Sequence, residues 1–160
     1  MANKIKKIVY AYVVGDLFHI GHVRMLKQAK ELGDYLIVGV ITDQGVWEYK
    51  RLPIIPFDQR MEMVASCRYV DEVIEQEGVD PTDNLKKIQP DIVVHGDDWD
   101  ENFPGAEYMR SIGKEVKRTK YCNEQSTSNI ISTVRVRQWA RKHTLVPKRA
   151  KKAEHTVEVQ

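Results

Sequence analysis

A doubly wound α/β fold, a parallel sheet of about five strands with helices on both faces, is what this sequence predicts. Three observations carry that expectation. Short apolar runs alternate with longer stretches of helical spacing, glycines punctuate the joins at Gly15, Gly33 and Gly113, and 160 residues suit one domain with a real core but not two. Strands separated by single helices pair in parallel through right-handed crossovers. Such sheets bind ligands beyond the carboxyl ends of their strands, where strand order reverses.

The elements follow in order. Ile8 to Val14 reads as a strand buried on both faces and stops at Gly15. Val23, Leu26, Ala29 and Leu32 recur at helical intervals until Gly33, expected as a C-terminal cap, and Tyr35 to Thr42 gives a second buried strand. From Asp43 to Phe57 the pattern is lost, and Lys50, Arg51, Pro53 and Pro56 mark an irregular loop long enough to be functional. Asp58 is expected to cap a helix running to about Arg68. Asp71 to Gln76 is a short third strand, Pro81 to Ile88 a helix, Asp91 to His95 a fourth strand, and Glu107 to Ile112 a helix closed by Gly113. Glu115 to Tyr121 makes a weak, charged strand suited to an edge. Ser126 or Ser128 opens the last helix, with Ile130, Ile131, Val134 and Trp139 as its apolar face among Arg135, Arg137 and Arg141. The domain is set at residues 1–146, and 147–160 is expected to be a basic, mobile tail.

Composition excludes several classes. The 25 basic and 23 acidic side chains leave a formal charge of +2, so no global field calls for nucleic acid or a membrane. Cys67 and Cys122 form neither a disulfide framework nor a metal-ligand spacing, which fits a reducing cytosol. Met1 to Lys7 leads into an apolar run too short for a signal peptide or a membrane span. A cytoplasmic protein is expected.

Chemistry concentrates at the predicted strand ends. His19 and His22 bracket Gly21 at a helix start, where free N–H groups and the helix dipole already favour a phosphate. Two imidazoles at that spacing can both donate to a polyphosphate whose charge rises as its bond breaks. The plainer alternative is two unrelated surface histidines or half a metal site, although His-x-x-x-His is the usual helical metal spacing. Asp97 and Asp98 after the fourth strand can recognise a base or ribose, help hold magnesium, or merely cap a turn. Ser126, Thr127 and Ser128 combine hydroxyls with free N–H groups and serve equally as helix caps. Trp47 and Trp99 line a pocket or simply pack.

Gly15-Asp16-Leu17-Phe18-His19-Ile20-Gly21-His22 resembles the His-x-Gly-His signature of the cytidylyltransferase family, which includes the glycerol-3-phosphate, choline-phosphate and ethanolamine-phosphate enzymes. Arg60, Arg68-Tyr69-Val70-Asp71-Glu72-Val73, His95-Gly96-Asp97-Asp98-Trp99 and Ser126-Thr127-Ser128-Asn129-Ile130-Ile131 are similar to further family segments in the same order, over roughly residues 7–137. The resemblance implies a Rossmann-like fold and transfer of CMP from magnesium-bound CTP to a small phosphorus-bearing acceptor. It implies His19, His22 and Lys50 as the catalytic groups, and Val14, Gly15, Gly21, Asp97, Asp98, Ser126, Thr127 and Ser128 around the nucleotide. Asp16, Lys50, Arg60 and Trp99 fall to the acceptor, with Arg60 equally suited to a buried ion pair. No protein-held metal is implied, and a homodimer through the Arg68 to Val73 region is.

Departures from the family pattern concern the acceptor. The approach to Asp16 is Val13-Val14-Gly15, and the segment Val79 to Leu85 lacks the tryptophan that the choline, ethanolamine and glycerol enzymes carry. A choline acceptor would want an aromatic cage. That segment, Tyr49-Lys50-Arg51-Leu52-Pro53 and Val93 to Trp99 are more similar to cytidylyltransferase domains associated with phosphoenolpyruvate mutase, whose acceptors are 2-hydroxyethyl- or 2-aminoethylphosphonate. A phosphate monoester such as glycerol 3-phosphate is the second expectation and ATP-dependent adenylyl transfer the third. A non-catalytic nucleic-acid module, suggested by the basic tail and the last helix, lacks the aromatic interleaving of a single-strand platform. The family's Arg-Thr-Glu-Gly does not align, which leaves open whether Arg118 reaches the triphosphate.

Overall fold

The computed structural model describes residues 7–120, 122 and 124–143; the expected tail at 147–160, the segment before Lys7 and Tyr121 lie outside them. The elements run β1 (Ile8–Val13), α1 (Ile20–Lys30), β2 (Tyr35–Ile41), α2 (Asp43–Trp47), α3 (Phe57–Ala65), β3 (Glu72–Gln76), α4 (Thr82–Ile88), β4 (Ile92–Gly96), α5 (Ala106–Ser111), β5 (Glu115–Thr119) and α6 (Thr127–His143). The five strands form one parallel sheet in the order β3-β2-β1-β4-β5, the doubly wound arrangement expected from the alternation. Order reverses between β1 and β4, where Val9 lies opposite Leu36 on one side and Ile92 on the other.

The pleat sorts side chains between two cores. Val9, Ala11 and Val13 of β1 pack with Leu36, Val38 and Val40 of β2 against Leu26 and Ala29 of α1 and Val64 of α3. Tyr10 and Tyr12 point the other way, joining Ile37, Val93, Leu85, Phe103 and Met109. Burial on both faces explains why β1, β2 and β4 read as unbroken apolar runs, whereas β3 and β5, at the edges, keep exposed Glu72 and Lys117.

Several expected details change. The stretch after β2 is not all irregular: the Thr42 hydroxyl accepts from the Gly45 amide at 3.1 Å and starts the five-residue α2, too short to show a period. Asp58 does not cap α3. Pro56 holds that position without a side-chain bond, Asp58 sits in the first turn at the positive dipole end, and the helix stops at Ala65 rather than near Arg68. Helix α1 ends on Glu31; Gly33 is needed because a side chain there would come within 2.6 Å of the Lys7 carbonyl. On α6 no described residue is buried, and Val134 and Trp139 of the expected apolar face stand 47% and 63% exposed.

Candidate active site

The site begins where β1 ends. Gly15 takes φ +71°, a conformation that disfavours a side chain, and turns the chain out of the sheet toward α1. His19 is the residue before the helix, and its Nδ1 accepts the Gly21 amide at 3.1 Å, while His22 Nδ1 accepts the His19 amide at 3.2 Å. The two histidines therefore cap the helix reciprocally. A side chain on Gly21 would lie 2.8 Å from the His19 ring, so glycine is what permits the pair.

This capping decides the protonation pattern. With both Nδ1 atoms used as acceptors, each neutral ring carries its proton on Nε2, free to donate away from the helix. The rings sit 4.0 Å apart by centroid, and Phe18 stacks on His22 at 5.3 Å. Burial, reinforced by the neighbouring His19 and Lys50, pushes His22 down to about 3, and burial also lowers His19. Before ligand arrives, the pair is two neutral donors.

The loop between α2 and α3 is tied down by two charged groups. The Asp16 carboxylate, 3% exposed, accepts the Ile54 and Ile55 amides at 3.0 Å each and pairs with Arg51 at 3.1 Å. Those bonds hold its pKa below the usual carboxylate range despite the opposing effect of burial. Arg60 is wholly buried: its guanidinium donates to the Val14 carbonyl, to the Ile55 carbonyl at 3.0 Å and to Asp43 at 2.7 Å. Of the two roles open to Arg60, the geometry takes the structural one, behind the cleft wall. Lys50 sits on the loop these groups fix, and desolvation by the cleft, with the charge of Arg51, holds it below the usual lysine range.

Across the switch point, β4 delivers His95, whose ring packs on Tyr12 at 4.7 Å, Trp99 at 5.4 Å and Phe103 at 5.6 Å. Burial lowers its pKa. Asp98 lies 3.9 Å from His95 Nδ1 and faces the cleft; the exposed Asp97 gives its amide to Thr119 and does not line the cleft. On the last wall, Ser126 caps α6 by accepting the Asn129 amide at 3.1 Å, and the Thr127 hydroxyl donates to the Asp16 carbonyl at 2.9 Å. Arg118 points elsewhere, donating to the Trp99 carbonyl and lying 3.7 Å from Glu101.

These walls enclose a cleft of about 540 Å³. It gathers Val14, Asp16, His19, Gly21, His22, Lys50, Asp98, Trp99, Ser126, Thr127 and Ser128 of the expected site; Gly15, Arg60, Asp97 and Trp47 stand outside its lining. The lining also includes Tyr12 and Lys120, to which sequence reasoning assigned no role, and Tyr49, Arg51, Val79 and Gln125, which it marked only within segments. Tyr12 carries a usable signal, a polar ring near the carboxyl end of a switch-point strand; the others depend on loop paths. Among the described residues no group of three or more His, Cys, Asp or Glu is set to hold a metal.

A parallel sheet whose switch point presents neutral imidazole donors on a helix start, opposite a lysine-bearing loop, defines an α/β protein built to bind and transfer phosphoryl-linked groups. Residues 15–139 match the protein-family model described as cytidylyltransferase-like, and the chain belongs to that nucleotidyltransferase family. It is 48% identical over 124 residues to an ethanolamine-phosphate cytidylyltransferase of Dictyostelium discoideum, covering 71% of this chain and 34% of that protein. It is 40% identical to the bifunctional protein HldE of Nitratiruptor sp., covering 81% of this chain and 28% of that one, and 40% identical to an FAD synthase of Pyrococcus abyssi, covering 76% and 87%. The chain thus spans about a third of the length of the first two. A lipopolysaccharide core biosynthesis protein from Thermoplasma volcanium superposes with a TM-score of 0.63 at 30% identity, covering 73% of this chain and 99% of that one. No helix among the described residues is long and apolar enough to cross a membrane.

Proposed function

We propose that this protein transfers CMP from CTP to a small phosphonate, 2-hydroxyethyl- or 2-aminoethylphosphonate, and releases pyrophosphate. The observation that carries nucleotidyl transfer is the reciprocal capping of His19 and His22, which leaves an Nε2–H donor on each of two rings that line the cleft. The acceptor's phosphonyl oxygen is already ionised near neutral pH, so it needs no general base. It attacks the α-phosphorus in line, and the bond to the β-phosphate's bridging oxygen breaks, its electron pair leaving with pyrophosphate. His19 and His22 donate to the oxygens that gain charge, and Lys50 offsets the repulsion between the two anions. Magnesium enters with the nucleotide as part of the substrate.

Support for a phosphonate comes from the segment after β3, which lacks tryptophan and supplies only Val79 to the cleft. The second reading is a phosphate monoester, favoured by the 48% identity to a protein named for ethanolamine phosphate. Single-turnover pyrophosphate release, with CTP or ATP against a panel of phosphonates and phosphate esters, tests both. The expected result is release from CTP with a phosphonate, and a CMP–phosphonate product. Preference for ethanolamine phosphate or glycerol 3-phosphate transfers the assignment to the second reading, and release from ATP alone rejects CTP. A dimer through Arg68 to Val73 belongs to the same reading, and a monomeric mass at micromolar concentration would remove it.

A further inference from the structure

A bound triphosphate must be neutralised by the walls it touches, and the cleft offers few cations for that. Lys50, Arg51 and Lys120 line it. Arg51 is paired with Asp16 at 3.1 Å. Lys50 rides the loop facing Asp16 and Asp98, whose charges it senses. Both histidines are neutral donors, so they direct hydrogen bonds without supplying net charge. Lys120 differs from all of these. It is exposed, lies on the wall shared with Gly21, Gln125 and Ser126, and has no ion-pair partner among the described residues.

Its backbone is also placed with care. The Gln28 side chain on α1 grips Lys120 from both sides, accepting its amide at 3.0 Å and donating to its carbonyl at 3.2 Å. One turn earlier on the same helix, Arg24 pairs with Glu124 at 2.5 Å and donates to Cys122 at 3.3 Å. Lys120, Cys122 and Glu124 are thereby tied to the helix that His19 and His22 cap. Arg118, two residues before Lys120, is drawn to Trp99 and Glu101 and away from the cleft.

We propose that Lys120 is the residue that binds the β- and γ-phosphates of the nucleotide, and that Gln28 is its positioning residue. This rests on the nucleotidyl-transfer reading for its substrate, but its test does not need turnover. Lys120 gives the triphosphate, and then the departing pyrophosphate, a charge-assisted donor, while the α-phosphate stays with the histidines and Lys50.

The experiment measures binding of CTP, CMP and pyrophosphate to the full chain by calorimetry, in wild type, K120A, K120R, Q28L and R118A. Loss of one charge-assisted contact weakens CTP and pyrophosphate by about tenfold or more. CMP, which lacks those phosphates, is bound as before. K120R restores most of the affinity, Q28L gives a smaller loss with the same selectivity, and R118A changes little. A K120A variant that loses CMP and CTP equally, or neither, overturns the assignment, as does an R118A variant with the larger effect. If wild type binds pyrophosphate through Lys120 yet releases none from CTP with any acceptor, the contact stands and the functional reading falls.

Discussion

On the β1–α1 side of the cleft, the polar groups that shape the wall are buried and fully engaged, whereas on the other side the helix that follows β5 is exposed along most of its described length. Asp16 and Arg60 together fasten Ile54, Ile55, Val14, Arg51 and Asp43, at 3% and 0% exposure. Helix α6, by contrast, buries no described residue, and its start is held to the first wall by the Thr127 hydroxyl bond to the Asp16 carbonyl. The difference separates two tasks. Under the proposed mechanism, the groups that would meet developing charge stand on the over-determined wall, where a small misplacement would lower rate steeply. Helix α6, with no described residue buried, has little packing to lose if it moves, which under the proposed function would suit entry and product release.

The largest expected effect comes from removing Arg60. R60M leaves the Val14 and Ile55 carbonyls without their donor inside the protein and Asp43 without its cation, so stability should fall by about 3 kcal/mol in urea unfolding. An unchanged midpoint would mean the first wall is not held as described. Next, H19A and H22A should each lower kcat by roughly 10²-fold with the α6 side unaffected; turnover like wild type in both would take them out of the chemistry.

A pH experiment separates the walls further. His22 is held at about 3 in the folded protein, against 6.5 for the free side chain, so the unfolded chain binds more protons at mildly acid pH. Its contribution is complete above pH 6.5 and is lost progressively as pH falls from there toward 3. By pH 5 this amounts to about 2 kcal/mol. Urea midpoints at pH 7 and pH 5 should show it, and H22Q should flatten the difference; an equal pH slope in the variant would refute the burial argument. The smallest effect belongs to the other wall: W139A, on the exposed face of α6, should change stability by less than about 0.5 kcal/mol. A larger loss would reveal a covering surface.

Much of the first wall's frame was legible in the sequence. Buried strands announce themselves as unbroken apolar runs, and His19, Gly21 and His22 lie within one turn of each other, so their grouping at a helix start follows from spacing. Parallel pairing in a doubly wound sheet followed from alternation, whereas the order β3-β2-β1-β4-β5 came from the structure. What was not legible depends on partners distant in sequence. That the Asp16 carboxylate holds the Ile54 and Ile55 amides, and that Arg60 is buried in an ion pair with Asp43, are contacts no local pattern announces. The place of Lys120 is decided by Gln28, 92 residues away, which no local pattern in the sequence announces. The apolar residues of α6 suggested a covered face by period, but period states only which residues share a face.

The Nδ1 locking of His19 and His22 has a consequence for the direction of the proposed reaction. To act as an acid either ring would first need a second proton on Nδ1, which would break the cap that shapes the helix start, so each acts as a fixed donor throughout. A site that neither gives nor takes protons looks the same from both ends of the reaction. Pyrophosphate placed against the same Nε2–H groups would meet the arrangement it left, and the reverse reaction would pass the same transition state. Net synthesis would then depend on how quickly the surroundings remove pyrophosphate.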